Sequence, residues 1–490
     1  MNEQNRTAAV TEATSNGDFE MTTHGSPRNN ADQVGEGTVG GGIGLEDVNS
    51  AFGGAEEERA AKYPRGKSTA AGAVANLVNT IVGAGIVGLP YALAQSGLWA
   101  GIFMMCLAAF LTNMSTKMLI VAGEKVGLLN YEELMANHFG NFGLYVYSFF
   151  VAVLAFGAMS AYLIIVGDTI PEMVQASGVT SGPFAERESV IALFGIFIVL
   201  PLSLLKDLSK LSLTSGISVT ADLLLTIIVI FAGAGEASDN PEIDTSERYV
   251  FIRSTIFAGF GAISFAFVSQ SASFLVYRSM AKGGLDRWTC VTTWSTLIAL
   301  AMGLALSLGG YLNFVNKTEG NILNNFSTDH KPASAARAFL ALTMVFTYPM
   351  EMYVTRHVLD TSIFQTMLGQ GPITRARHYG LTIGLWTLTM ILSLSTDQLG
   401  SILEIFGALG ASIVGYVLPA LLFMKVNKGE VRRARAVWRK GTPDYESALG
   451  ERLWASRRLI LPVFMVAFGV VATVAGLATA ICSELSPTKA

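Results

Sequence analysis

Three glycines and a proline fall within eight residues of one apolar run: Gly83-Ala84-Gly85-Ile86-Val87-Gly88-Leu89-Pro90. Glycine tolerates backbone angles that other residues avoid, and proline removes a donor and collides with the preceding turn. A helix carrying this stretch is expected to break. In lipid a break persists only where the freed N–H and C=O groups face protein, water or ligand. The chemistry on offer is binding: N–H groups at one half-helix end suit a carboxylate, and free carbonyls suit a cation. Glycine also serves close helix packing, so the glycines alone do not decide. Asn79 lies one turn earlier, and a carboxamide in hydrocarbon needs a partner or a ligand.

A second candidate interruption is Phe257–Gln270, with Gly259 and Gly261 followed by the aromatic and polar stretch Ser264-Phe265-Ala266-Phe267-Val268-Ser269-Gln270. Three acids, Asp222, Glu351 and Glu404, also sit in or near apolar runs. Each is expected to face the bundle interior, where any one of them could carry a proton or be paired structurally. Thr343 and Thr347 lie one turn apart before Pro349. Their hydroxyls could join a cation site, or bond back to the i−4 carbonyl.

The elements that must position these groups are membrane helices. Of the 490 residues 51% are apolar and only 14% charged, with mean hydropathy +0.46. Ordinary soluble chains are about 25% charged. A bilayer core takes about 20 apolar residues per helix. Eleven such runs stand out, at 70–95, 98–122, 142–167, 189–205, 212–235, 252–276, 288–312, 334–356, 379–396, 398–424 and 459–482. The expected fold is therefore an all-α integral membrane protein of eleven transmembrane helices spanning 69–482. Residues 1–68 form a polar cytosolic leader, read as disordered from its composition, and 483–490 a short outer or lumenal tail.

Charge sets the orientation. With the N-terminus inside, 24 of the 33 Lys and Arg face the cytosol and seven the other side, as the positive-inside rule requires. Two glycosylation sequons, at Asn316 and Asn325, then fall in one outer loop. Interrupted runs one and six are five spans apart. Odd spacing inverts topology, so runs 1–5 and 6–10 form a candidate inverted repeat, with the eleventh extra.

Several classes are excluded. The net charge of −4 gives no case for nucleic acid. Cys106, Cys290 and Cys482 make neither a disulfide framework nor a metal cluster, and no cofactor motif occurs. None of the five His is central in a run, which argues against a membrane enzyme.

Four blocks resemble the amino acid/auxin permease family, especially its sodium-coupled neutral and vacuolar amino acid transporters. They are Asn76–Tyr91; Ala122–Gly143, with Tyr131-Glu132-Glu133-Leu134; Ser264–Met280; and Leu399–Lys425 with Leu418-Pro419. The resemblance implies a LeuT-type 5+5 inverted repeat plus one helix. It implies that unwound backbone at Val82, Gly83, Ala84, Gly85 and Ile86 holds an amino acid, facing Ser264, Phe267 and Gln270. It also implies a cation site, for Na⁺ or H⁺, from Asn79 with Thr347 or Thr343. Gln270 stands where the family pattern has His, so pH sensing there is not expected. No cysteine pair bridges the outer loops, which tilts the expected membrane from plasma membrane toward vacuole or lysosome.

The expected function is secondary transport of amino acids, with neutral side chains since no charged residue adjoins the break. The alternative is a sensor of the same fold that signals to a cytosolic partner through its leader.

Overall fold

Apolar runs that would be insoluble as single helices pack here into one bundle, described in a computed structural model for residues 63, 66–205, 214–238, 243–281, 283–432 and 456–485. All of them belong to the unit Arg59–Ala490. The expected leader up to residue 62, most of the basic loop 433–455 and residues 486–490 lie outside the described residues.

The first run is α1 (Ala70–Val82), a 3₁₀ turn at Ala84–Gly88, and α2 (Leu89–Ser96). Thr69 caps α1, its hydroxyl accepting from Gly72 N at 3.1 Å. Pro90 falls in the first turn of α2, where its missing N–H is harmless. The path turns by 47° between the two halves. Next come α3 (Leu98–Val126) and α4 (Tyr131–Ala176). Gly140, at φ 65°, kinks α4 between its first turns and its long apolar stretch. The fourth run is α5 (Arg187–Phe194), a π segment Gly195–Val199, and α6 (Leu200–Ser203). The fifth is α7 (Thr214–Ser238).

The sixth run is split into α8 (Ile256–Phe267) and α9 (Gln270–Ser279). Then follow α10 (Leu285–Phe314), α11 (Lys331–Leu359) and α12 (Arg375–Ser395). The tenth comprises α13 (Leu399–Phe406), two π segments, and α14 (Leu418–Val426). The eleventh is α15 (Leu461–Leu485).

Every expected run is thus helical, and the described residues hold no strand beyond one isolated bridge. Among the described residues, seven helices are long and apolar enough to cross a membrane, or eight with the bent first pair. The fourth, eighth and ninth runs do not meet that measure. Phe103, Phe149, Phe231 and Val474 point outward at 58–80% exposure. In water they would form sticky patches, and in lipid they are simply solvated.

Glycine packs the centre. Gly261 and Gly407 lie back to back on α8 and the first π segment, each with no room for a Cβ against the other's helix. Gly259 sits equally tight on Ala92 and Ser96 of α2.

The leader does not end cleanly at Ser68. Gly66 N donates to Arg278 O at 2.8 Å, Ser68 N to Ser279 O at 2.9 Å, and Ala281 N back to Ser68 O at 2.9 Å. Tyr63 is buried, donates its hydroxyl to Glu133, and lies under the Arg278 guanidinium. The last leader residues therefore pack as part of the bundle.

Candidate functional site

The two breaks form differently. In the first, Gly83 adopts φ 35°, ψ −151°, a conformation that side chains oppose, and its N–H returns to Asn79 O at 3.0 Å. A Cβ there would meet only its own preceding turn, at 3.8 Å or more. Gly83 is therefore required for conformation. Gly85 is required for approach, because a Cβ on it would lie 2.5 Å from Ala266 Cα of α8. Val82 and Ile86 are buried to either side, and Ala84 opens the 3₁₀ turn.

The second break is at Val268 and Ser269, within the expected stretch Phe257–Gln270 and past its paired glycines. Val268 is extended (φ −73°, ψ 127°), and Ser269 takes φ −147°, ψ 6°. No glycine is needed, because neighbouring side chains replace the lost ladder. Thr112 Oγ1 on α3 donates to Phe267 O at 3.0 Å. The Gln270 side chain turns back, its Oε1 accepting from Ser269 N at 2.9 Å while its Nε2 donates to Ser115 Oγ at 2.7 Å. Gln270 is fully buried, so its amide fastens the start of α9 to α3.

Both breaks leave helix ends facing each other. The last carbonyls of α1 and α8 lack i+4 partners of their own helix, and the starts of α2 and α9 offer N–H groups. That places partial negative and partial positive ends close together. Between them lies an apolar cavity of about 10 Å³, lined by Ile81, Val82, Ile86, Leu89, Ala266, Phe267, Ala299 and Gly303. It has room for about one water, so the breaks are described in a closed state.

Ser264 is 1% exposed, and among the described residues its hydroxyl makes no hydrogen bond of ordinary geometry. The Tyr416 hydroxyl lies near Ser264 and Thr112, the three hydroxyls forming a buried polar group. The Asn79 carboxamide is half-buried and makes no hydrogen bond among the described residues. Thr343 and Thr347 donate to Phe339 O and Thr343 O at 2.9 and 2.8 Å, the i−4 alternative. Their helix, α11, packs chiefly on α4 and α7 rather than on α1.

Sequence reasoning overlooked α3. Thr112, Ser115 and Thr116 stand at i, i+3 and i+4, a polar stripe inside an apolar run. That spacing was the available signal for the helix that supports the second break.

A cavity of about 600 Å³ opens at the far end of α2, with Tyr91, Asp168, Glu172, Arg187, Glu319 and Asp397 in its lining. Arg187 pairs with Asp168 at 3.0 Å and donates to Thr396 O at 2.9 Å. The fully buried Arg337 pairs with Glu172 and donates to Leu323 O and Phe326 O at 2.9 and 2.8 Å. These two arginines tie α4 to α5, α11, α12 and the 315–330 loop.

Residues 66–445 match the profile of the transmembrane amino acid transporter protein family. The chain belongs to that family. Within it, the chain is 31% identical over 411 residues to a putative sodium-coupled neutral amino acid transporter 11 of Danio rerio, covering 83% of this chain and 86% of that protein. It is 28% identical over 362 residues to vacuolar amino acid transporter 2 of Saccharomyces cerevisiae, covering 72% and 75%. A manganese transporter of Eremococcus coleocola aligns over 83% of this chain and 95% of its own, at TM-score 0.45 and 10% identity, too loosely to bear on fold or cargo. The family and these sequence relatives are transporters, not enzymes. The transporter reading also fits the integral, multi-pass character of the chain, with a plasma or a vacuolar/lysosomal membrane as its setting.

Proposed function

We propose that the chain is a secondary active transporter of neutral amino acids, driven by a Na⁺ or H⁺ gradient through alternating access. The observation that carries this reading is the meeting of two helix breaks at Gly85 and Ala266 beside an apolar cavity. Parting α1 from α8 enlarges that cavity and exposes both sets of helix ends. The α-carboxylate is held by N–H groups of the 84–88 turn, and the α-ammonium by carbonyls at the end of α8, with Ser264 and Tyr416 nearby. An uncharged side chain fits walls made of Ile81, Val82, Phe267 and Ala299. Names of the relatives agree, one being called a neutral and one a vacuolar amino acid transporter. Asn79, Thr343 and Thr347 are assigned to the cation, and no further cofactor is invoked. Eleven spans with the N-terminus inside complete this reading.

The test is uptake of labelled neutral and charged amino acids by liposomes holding the purified full chain. Accumulation of neutral ones under an imposed cation gradient supports the reading, and accumulation of none rejects it.

One observation favours the sensor as a second reading: the leader's end is docked on Arg278–Ala281 and Glu133. Deleting residues 1–62 separates the two. Loss of a cytosolic partner with uptake intact favours sensing, and loss of neither rejects it.

A further inference from the structure

Asp222 is a buried acid whose carboxyl the described packing leaves without a partner. It is 2% exposed on α7, nine residues into that helix. Its Oδ1 is buried without a hydrogen-bond partner, and no hydrogen bond or ion pair reaches its carboxyl among the described residues.

Three other acids show how the fold treats a structural carboxylate. Asp168 has Arg187, Glu172 has Arg337, and Asp360 has Arg377 and the Gln365 amide. An ionised carboxyl without such company is strongly disfavoured in a low-dielectric interior, and the group neutralises instead. In the absence of a fixed cation, the neutral acid is the form that fits this site.

Among the described residues, the helices packed on α7 bring no other charge to Asp222. Helix α7 packs chiefly against α1, α10 and α11. Helix α1 carries no titratable residue. On α10, Asp286 and Arg287 lie in the first turn, Cys290 faces outward, and Tyr311 bonds Glu247 O. On α11, Arg337 is held by Glu172, and Arg356 by Ser203 O and Thr382, beside the Tyr353 ring. Glu351 faces Tyr162 of α4, Tyr348 bonds Thr389, His357 lies near Glu132, and Lys331 opens the helix.

Position adds the functional link. The partner helix α1 is the half-helix that ends at the first break. Any movement that parts α1 from the bundle changes what Asp222 faces. We propose that Asp222 is the proton-coupling carboxyl of this transporter, protonated while the breaks are closed and exchanging its proton with water when α1 moves. An O–H bond forms on the carboxylate with a proton from water on one side, and breaks to water on the other. A zwitterionic amino acid and one proton then carry one net positive charge per cycle. The inference rests on the transport reading and selects H⁺ as its coupling ion, carried on Asp222 in place of a cation at Asn79, Thr343 and Thr347.

The test uses the full chain in sodium-free liposomes with labelled alanine and leucine and an internal pH dye. Wild-type uptake should follow an imposed proton gradient and should move protons with the amino acid. Asp222→Asn should reduce gradient-driven accumulation about tenfold more than it reduces counterflow exchange, and Asp222→Glu should recover part of the proton-driven uptake. Equal proton movement by Asp222→Asn and wild type overturns the proposal, as does wild-type uptake that needs Na⁺ and moves no protons. Wild-type protein that transports nothing removes the transport reading, and this inference with it. Should Asp222→Asn not fold, a hydrophobic carbodiimide, which attacks protonated buried carboxyls, decides on wild-type protein by mass spectrometry. Labelling of Asp222 that stops transport supports the proposal, and undiminished proton-coupled uptake with Asp222 labelled overturns it.

Discussion

Gly85 of the first broken helix rests directly on Ala266 of the second, so closely that a Cβ on Gly85 would lie 2.5 Å from the Ala266 Cα. Both atoms belong to backbone-defined positions, so neither can swing aside. Gly85→Ala should hold α1 and α8 apart by roughly 1 Å and slow uptake roughly 100-fold. The protein should still insert, because lipid-facing surfaces are untouched. Uptake at the wild-type rate by a correctly inserted variant would remove this contact from the mechanism.

Gly83 tests conformation separately from contact. Its φ of 35° meets no neighbour beyond its own turn. Gly83→Ala therefore adds strain of about 1–3 kcal/mol without a clash. The expected result is weaker amino acid binding with folding retained, read as a raised half-saturating concentration. A substitution that changes neither binding nor uptake would show that the turn tolerates a side chain.

Gln270 is placed to hold the second break together. Gln270→Ala strands Ser269 N–H in a dry interior, at about 1–3 kcal/mol, while Ser115 Oγ keeps its bond to Thr112 O. Equilibrium unfolding in detergent should show that loss, and uptake should fall with it. Unchanged stability would mean that water or another side chain takes over the bond to Ser269 N–H.

Arg187 and Asp168 form a pair in which the acid is only 7% exposed. Removing one partner of a buried pair costs about 3–5 kcal/mol. Arg187→Ala should lower unfolding stability by an amount in that range, and adding Asp168→Asn should restore part of it. Two single losses that simply add in the double variant would show that the residues are not coupled.

Glu430 closes the opposite end of the bundle. It accepts from Lys125 at 2.8 Å and pairs with Arg458 at 3.2 Å. The Lys125 hydrogen bond, helped by the Arg458 charge, holds its carboxyl below the ordinary value of 4.5. A lowered value in the fold means that the contribution is present above the ordinary value and lost as pH falls through the lowered one. Glu430→Gln should cost up to about 1 kcal/mol at neutral pH and nothing well below pH ~4. Unfolding curves at the two pH values check this, and a larger effect in acid would reverse the sign.

Much of this arrangement could be read from residue types. Gly83 and Pro90 announced the first break, because a helix in lipid seldom carries such a pair unless its freed backbone groups meet a partner. The second break falls inside the expected stretch Phe257–Gln270, at its polar end rather than at Gly259 and Gly261. Those glycines pack on Ser96 and Glu404, and packing glycines look the same in sequence as hinge glycines. The break at Val268–Ser269 is made by Thr112, Ser115 and Gln270, residues about 155 positions apart in the chain. Such partnerships are tertiary and leave only a faint local mark. The Thr343 and Thr347 hydroxyls bond back to their own helix in this state, and the same two residues would read identically on a cation.

The most direct measurement is gradient-driven uptake by purified full-length protein in liposomes, compared with the Gly83→Ala and Gly85→Ala variants. The account predicts accumulation of labelled neutral amino acids above the external concentration by wild type, with strong loss in both variants. Accumulation no greater than in protein-free liposomes, or equal accumulation by all three proteins, would contradict it.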